Sequence, residues 1–316
     1  MVWVYVLPQW EYPKNPMSFE EVLKKAPGVH GILTTKDLDI LETLFYYRFL
    51  LTGQVGRLFY QEARNPYKQA STRLKTLFDR GMILRFRPIV SKHEGTHQYI
   101  FALSQLGYDI LFHVRKREEK EYEDDTRWQE TNNVVEMSRL IHELELNEFC
   151  INLQLECEKR QLAFDWHPTR LTWQRVVPRQ IGAKPYRVSP DAVIRVEKNL
   201  FHVEYERSAD PEKFFVKTGR WKRYRASGAW KEKWSQEPTI LVVGGREPGE
   251  VKGKSRRERS ITPLMDVALK QGLENIFFIY DEDWQSGIWV AHNARGEKTD
   301  LFNLAESTKW DRLKRF

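Results

Sequence analysis

Apolar residues recur at helical spacing in the first third of the chain. Thr35 caps a helix predicted to run through Leu51, with Leu38, Leu41, Leu44, Phe45 and Tyr46 on its apolar side. A second helix is expected from about Gly53 to Glu62, carrying Val55, Leu58 and Phe59. Asn65-Pro66 then reads as a cap followed by proline at the first helical position. The helix it opens turns Ala70, Leu74, Leu77 and Phe78 inward and leaves Gln69, Thr72, Arg73 and Thr76 on an outer face, until Gly81 closes it. Two strands follow, Met82 to Val90 and Gln98 to Leu103, joined by a polar turn over 91–96.

Three helices and a hairpin in this order predict a winged helix-turn-helix over 34–112, whose third helix would enter a major groove. In that geometry Gln69 and Arg73 would address base edges with Thr72 and Thr76 beside them, while Arg85, Arg87 and Lys92 on the wing would meet phosphates. Residues 1–33 read as an extension with a strand and a short helix, in which Ser18 and Glu21 form a capping-box pattern. A mixed-charge stretch over 113–132 has few apolar residues and reads as a connector.

The pattern changes after it. A long helix from Asn133 to Gln161 shows Met137, Leu140, Ile141, Leu144, Ile151 and Leu155 on one face. A hairpin follows Pro190-Asp191, its strands carrying Val193, Val196, Phe201 and Val203 and its turn expected at Lys198-Asn199. Next come a basic, aromatic-laced helix to Tyr224, a buried strand Pro238 to Val243, a helix from Thr262 to Lys270, a buried strand Asn275 to Tyr280 and a last strand Gly287 to Ala291. The fold class expected is therefore α/β (α+β), with a second, mixed-sheet domain over 133–316.

With charged residues at 30% and no run near the roughly 20 apolar residues of a spanning helix, a membrane protein is excluded. Cys150 and Cys157 fall on one helix roughly 10 Å apart at 1.5 Å rise per residue, too far for a disulfide. Reduced cysteines and a start without a basic signal region predict a cytoplasmic protein. The net charge of +7 is clustered: residues 213–234 carry five Lys and three Arg against one Glu, and 252–259 carry five basic residues against one acid. Double-stranded DNA is the partner this predicts. Arg220, Lys222 and Arg223, interleaved with Trp221 and Tyr224, form a second candidate DNA surface.

Candidate chemistry lies in the hairpin. Alternation places Glu204 and Glu206 on one strand face with His202, and two such carboxylates repel unless a cation, a proton or an arginine sits between them. Pro190-Asp191 followed by Glu204-x-Glu206 resembles the PD-(D/E)xK nuclease superfamily. The resemblance implies Asp191 and Glu204 as ligands of Mg²⁺ or Mn²⁺, with Glu206 standing where the lysine of the motif belongs. Some members of that superfamily carry the lysine on the following helix, where this chain has Lys213 and Lys217. Glu145 or Glu148 of the preceding helix would point at the same site.

The order winged helix, connector, His142-x-Leu144-x-x-Asn147, Pro190-Asp191, Glu204-x-Glu206-Arg207 and Lys217 to Tyr224 is similar to the replication-relaxation family, as is Tyr99-Ile100-Phe101-Ala102-Leu103-Ser104-x-x-Gly107 at the wing's exit. That resemblance implies a DNA-binding protein of a plasmid or conjugative element, working with protein partners of a replication or mobilisation complex. An Mg²⁺-dependent endonuclease or nickase is the alternative, with Lys217 polarising the phosphate, and a transcriptional regulator is a further one.

Overall fold

The structure, a computed structural model, describes residues 10–24, 33–87, 98–117, 129–168, 172–177, 184–207, 210–244 and 261–304. Two compact units divide it, residues 1–151 and 152–316.

In the first unit, α1 (Phe19–Lys24) precedes α2 (Thr35–Tyr47), β1 (Phe49–Leu51), α3 (Thr52–Phe59), α4 (Pro66–Asp79), β2 (Ile83–Phe86), β3 (Ile100–Leu103) and α5 (Gln105–Arg117). The strands form an antiparallel sheet in the order β1-β3-β2, so the winged-helix arrangement predicted from the apolar pattern is present. The first helix ends earlier than expected. Arg48 takes φ +64°, breaking the helix, and Phe49–Leu51 becomes the third strand. Leu38, Leu41, Leu44, Val55, Ala70, Leu74 and Leu77 are buried, as their spacing predicts.

Two of the sequence patterns have a packing explanation. Ser104 Oγ donates to the Gly81 carbonyl (2.6 Å) and accepts from the Gly107 N–H (3.0 Å), tying the end of α4 to the start of α5. A Cβ on Gly107 would lie 2.0 Å from the Met82 carbonyl oxygen, so no other residue fits. Asn147, buried on α6 (Met137–Arg160), donates to the carbonyls of Tyr47 (2.9 Å) and Phe49 (2.7 Å) on either side of the strained Arg48.

The unit boundary falls inside α6, rather than before Asn133 as the charge pattern suggests. Asn147 and the packing of Val135 and Leu140 with Phe49, Phe86, Ile100 and Ala102 hold that helix's first part to the N-terminal unit. Residues 10–24 belong there too, through the Glu11–Arg85 bridge and Trp10 stacked on Phe49.

The second unit is built on a seven-stranded sheet in the order β12-β11-β10-β9-β8-β7-β4. Its strands are β4 (Phe164–Pro168), β7 (Ala192–Val196), β8 (Asn199–Glu206), β9 (Thr239–Gly244), β10 (Ile276–Ile279), β11 (Val290–Asn293) and β12 (Lys298–Asp300). β8, β9 and β10 run parallel, linked through α7 (Pro211–Ser227) and α8 (Thr262–Lys270); a short α9 (Asp281–Gln285) follows β10, and the other pairings are antiparallel. Phe214, Trp221 and Tyr224 of α7 and Leu264, Met265 and Ala268 of α8 pack with Ile240, Val242, Ile276 and Phe278. A separate hairpin, β5 (Gln174–Val176) and β6 (Tyr186–Val188), joins that core through Val176 and Val188.

The β7–β8 turn is Glu197-Lys198, one residue before the expected position. Glu197, at φ +51°, is pinned there: its carboxylate accepts from the Ala163 N–H (2.6 Å) and its own N–H donates to the Ala163 carbonyl (2.9 Å). The last predicted strand is displaced to Val290–Asn293, and β12 had no clear apolar signal.

Candidate functional site

In the N-terminal unit the candidate surface is the outer face of α4. Asn65 caps it, its side chain accepting from the Lys68 N–H (2.9 Å), and Pro66 opens it. Gln69 and Thr72 are exposed, together with Tyr67, Lys68, Ser71 and Lys75. Thr76 is half-buried and its hydroxyl donates to the Thr72 carbonyl (3.1 Å).

Arg73 is drawn to a partner inside the unit. Its guanidinium makes a two-pronged pair with the fully buried Asp37 of α2, and side-chain bonding to Asp37 holds its pKa above the ordinary arginine value. Asp37 also completes the capping box with Thr34. Arg73 therefore anchors α4 to α2, because a buried carboxylate requires a partner. Arg85 is likewise committed: it pairs with Glu11 (2.6 Å) and lies over the rings of Phe78 (4.1 Å) and Tyr99 (4.8 Å). Arg87 is exposed, with its guanidinium 5.0 Å from the Tyr99 ring centroid. Lys92 lies outside the described residues, as does the basic stretch 252–259.

In the second unit, β7, β8 and α7 gather the acids. Asp191, directly before β7, donates its N–H to the Val203 carbonyl and accepts the Tyr205 N–H on its carboxylate, both at 2.9 Å. The alternation of β8 turns Glu204 and Glu206 to one face, where Lys217 of α7 meets them. Its Nζ is 2.5 Å from Glu204 Oε2 and 2.5 Å from Glu206 Oε1. The cation between the two carboxylates is thus a lysine supplied by the next helix, 11 positions beyond Glu206. Lys213, the other candidate, is turned to Asp210 at 3.1 Å.

Three carboxylates share one ammonium here, and the electrostatics follow from that. Burial pushes the Glu204 pKa up to about 8, with Asp191 and Glu206 adding to the rise and Lys217 opposing it. Burial alone would lower Lys217, but Glu204, Asp191 and Glu206 together hold its pKa above the ordinary lysine value. Lys217 is therefore charged, and Glu204 is harder to ionise than an ordinary carboxylate. Among the described residues, no group of three or more His, Cys, Asp or Glu side chains is gathered to hold a metal ion.

Other expected members lie elsewhere. Glu148 accepts two bonds from Arg57 and one from Gln54 within the N-terminal unit. His202, on the same strand face as Glu204, is buried against Tyr224 and Trp234, and burial pushes its pKa down to about 3. Trp221 and Tyr224 are core residues of α7 and are closed to nucleic acid, whereas Arg220, Lys222 and Arg223 are exposed. Lys222 Nζ donates to the Gln271 carbonyl (3.0 Å). Cys150 and Cys157 are free and buried, and burial raises both thiols, Cys157 to about 12. Among the described residues no helix is long and apolar enough to cross a membrane.

Fold and site together define an α+β protein that joins a winged-helix arrangement to a mixed-sheet unit with an acid–lysine cluster. The family model described as Replication-relaxation matches residues 41–240, a span that takes in α4, Asp191, Glu204, Glu206 and Lys217, and the chain belongs to the replication-relaxation family. Neither the curated proteins nor the solved structures give a match.

Proposed function

We propose that this chain is a DNA-binding protein of a mobile genetic element, acting in replication or DNA relaxation. The observation that carries the reading is the exposed polar face of α4, with Gln69 and Thr72 uncovered on the third helix of a winged-helix arrangement. Both side chains have the donors and acceptors that address base edges, while Lys68, Lys75 and Arg87 suit phosphates. The second unit adds a further DNA or partner surface, and protein partners in a replication or mobilisation complex fit the family. Binding to duplex DNA followed over about 50 to 200 mM salt tests the reading, since phosphate contacts release counterions and affinity must fall steeply. Affinity that ignores salt would sink it.

A second reading is favoured by one observation. Lys217 lies 2.5 Å from Glu204 and supplies, from α7, the lysine absent at position 206. The acid–lysine set then has the parts of a PD-(D/E)xK endonuclease site. Its donor chemistry fits a hard divalent cation, because carboxylates outnumber the ammonium and such ions bind through one or two carboxylates plus phosphate and water. Asp191 and Glu204 would hold Mg²⁺ or Mn²⁺, which when bound neutralises charge at a phosphate. Glu206 holds the Lys217 ammonium in place, and Lys217 would offer that charge to a phosphate oxygen. Incubating the chain with supercoiled DNA, with and without Mg²⁺ or Mn²⁺, tests this: metal-dependent nicking lost in Lys217→Met supports it, and intact DNA throughout rejects it.

A further inference from the structure

The β5–β6 hairpin presents an outward face that its fold does not explain. Along 173–177 burial alternates: Gln174 and Val176 are buried, while Trp173, Arg175 and Val177 are exposed. Val176 and Val188 enter the core against α7, and Gln174 Oε1 accepts from the buried Tyr224 hydroxyl (2.8 Å). The hairpin is thereby fixed by its inner face. On its outer face Arg175 and Arg187 are directly opposite one another across the two strands. Like charges in that position destabilise a sheet. Both are exposed, and among the described residues neither makes an ion pair with an acid. Trp173, 43% exposed, has the Arg187 guanidinium 4.8 Å from its ring centroid. Exposed Arg223 of α7 lies 5.2 Å from the ring of Tyr186, which alternation turns to the inner face with Val188.

We propose that this face, built from Trp173, Arg175 and Arg187 on the β5–β6 hairpin, is a binding site for single-stranded DNA. An opposed arginine pair is relieved when a phosphodiester chain lies over it, and an exposed indole beside it gives an unstacked base a surface. A duplex keeps its bases inside, so the indole has no counterpart there. Separating strands is what a replication or relaxation protein's substrate undergoes, and the site rests on that reading of the chain as a nucleic-acid-binding protein.

The experiment uses the full chain with a labelled short oligothymidylate and, separately, a duplex of equal length. Arg175→Gln with Arg187→Gln should weaken oligothymidylate binding on the order of tenfold and flatten its salt slope by roughly 1.4, about 0.7 for each lost phosphate contact. Trp173→Ala, at an exposed position, should weaken it on the order of tenfold with the slope kept. Duplex affinity should stay, and the melting temperature of the arginine variant should equal or exceed that of the parent. Oligothymidylate affinity and slope unchanged in the arginine variant would overturn the proposal. So would an equal loss on duplex, or a parent that binds duplex and no single strand, the last leaving the winged-helix reading intact. A parent that binds oligothymidylate through these arginines and no duplex would reject the winged-helix reading alone.

Discussion

Lys217 of α7 and Glu204 of β8 meet with Nζ 2.5 Å from Oε2, and the same ammonium reaches Glu206 Oε1 at 2.5 Å. One cation thus serves a strand face that gathers two carboxyl groups beside Asp191. Lys217→Gln removes it. Glu204 can then avoid an unpaired charge only by holding its proton more tightly, so the variant should be mildly destabilised at pH 6 and strongly at pH 9. Breaking a buried pair costs about 3–5 kcal/mol when the remaining group stays charged. Urea denaturation at both pH values checks this, and an equal loss at the two would mean that the lysine acts only by packing.

Stability of the parent should itself depend on pH through Glu204. Its pKa is about 8 in the folded chain and 4.5 when free, so the folded state holds the extra proton between those values. Its contribution is full below pH 4.5 and is lost as pH rises through 8. His202 has the opposite sense: depressed to about 3 from 6.5, it favours the folded state above pH 6.5 and less as pH falls below that. The two trends oppose each other between 4.5 and 6.5, leaving Glu204 alone from 6.5 to 8. Melting temperature should fall across that window in the parent and stay level in Glu204→Gln.

Arg73 should matter for stability more than for DNA discrimination. Arg73→Ala strands the buried Asp37 carboxylate, at a cost of about 3–5 kcal/mol. Asp37→Asn with Arg73→Gln, which removes both charges, should recover much of it. Chemical denaturation of the single and double variants measures the coupling. A single variant as stable as the parent would free Arg73 for the role its position on the helix first suggests.

The break between α2 and β1 is held from outside. Asn147→Ala leaves the Tyr47 and Phe49 carbonyls without their donor, and at about 1–3 kcal/mol for each buried unsatisfied group the loss should reach about 2–6 kcal/mol. Gly107→Ala meets the Met82 carbonyl and should cost at least about 1–3 kcal/mol through overpacking. Equilibrium unfolding of each variant checks both values.

Local periodicity revealed the helices and the acid-bearing hairpin, because Ala70, Leu74, Leu77 and Phe78, and the alternation of Glu204 and Glu206, depend only on neighbours in sequence. Contacts between distant segments were not legible. The separation of 36 positions from Asp37 to Arg73 concealed their pair, and an arginine on an outer helix face reads as free until its partner is placed. Trp221 and Tyr224 among arginines read as a stacking surface, yet the helix turns them to the sheet and only the charges outward. Asn147 and Gly107 stood out as pattern positions, and their reasons, two carbonyls and one close approach, belong to packing.

Gln69→Ala with Thr72→Ala decides whether α4 reads duplex DNA. Duplexes selected by the parent from a random pool would be compared with unselected duplex, at one salt concentration, for parent and variant. Both side chains are exposed, so the fold should be kept. Affinity for unselected duplex should be retained while preference for the selected sites drops, at roughly 1–3 kcal/mol for each lost base contact. A variant that still prefers the selected sites as strongly as the parent would contradict it.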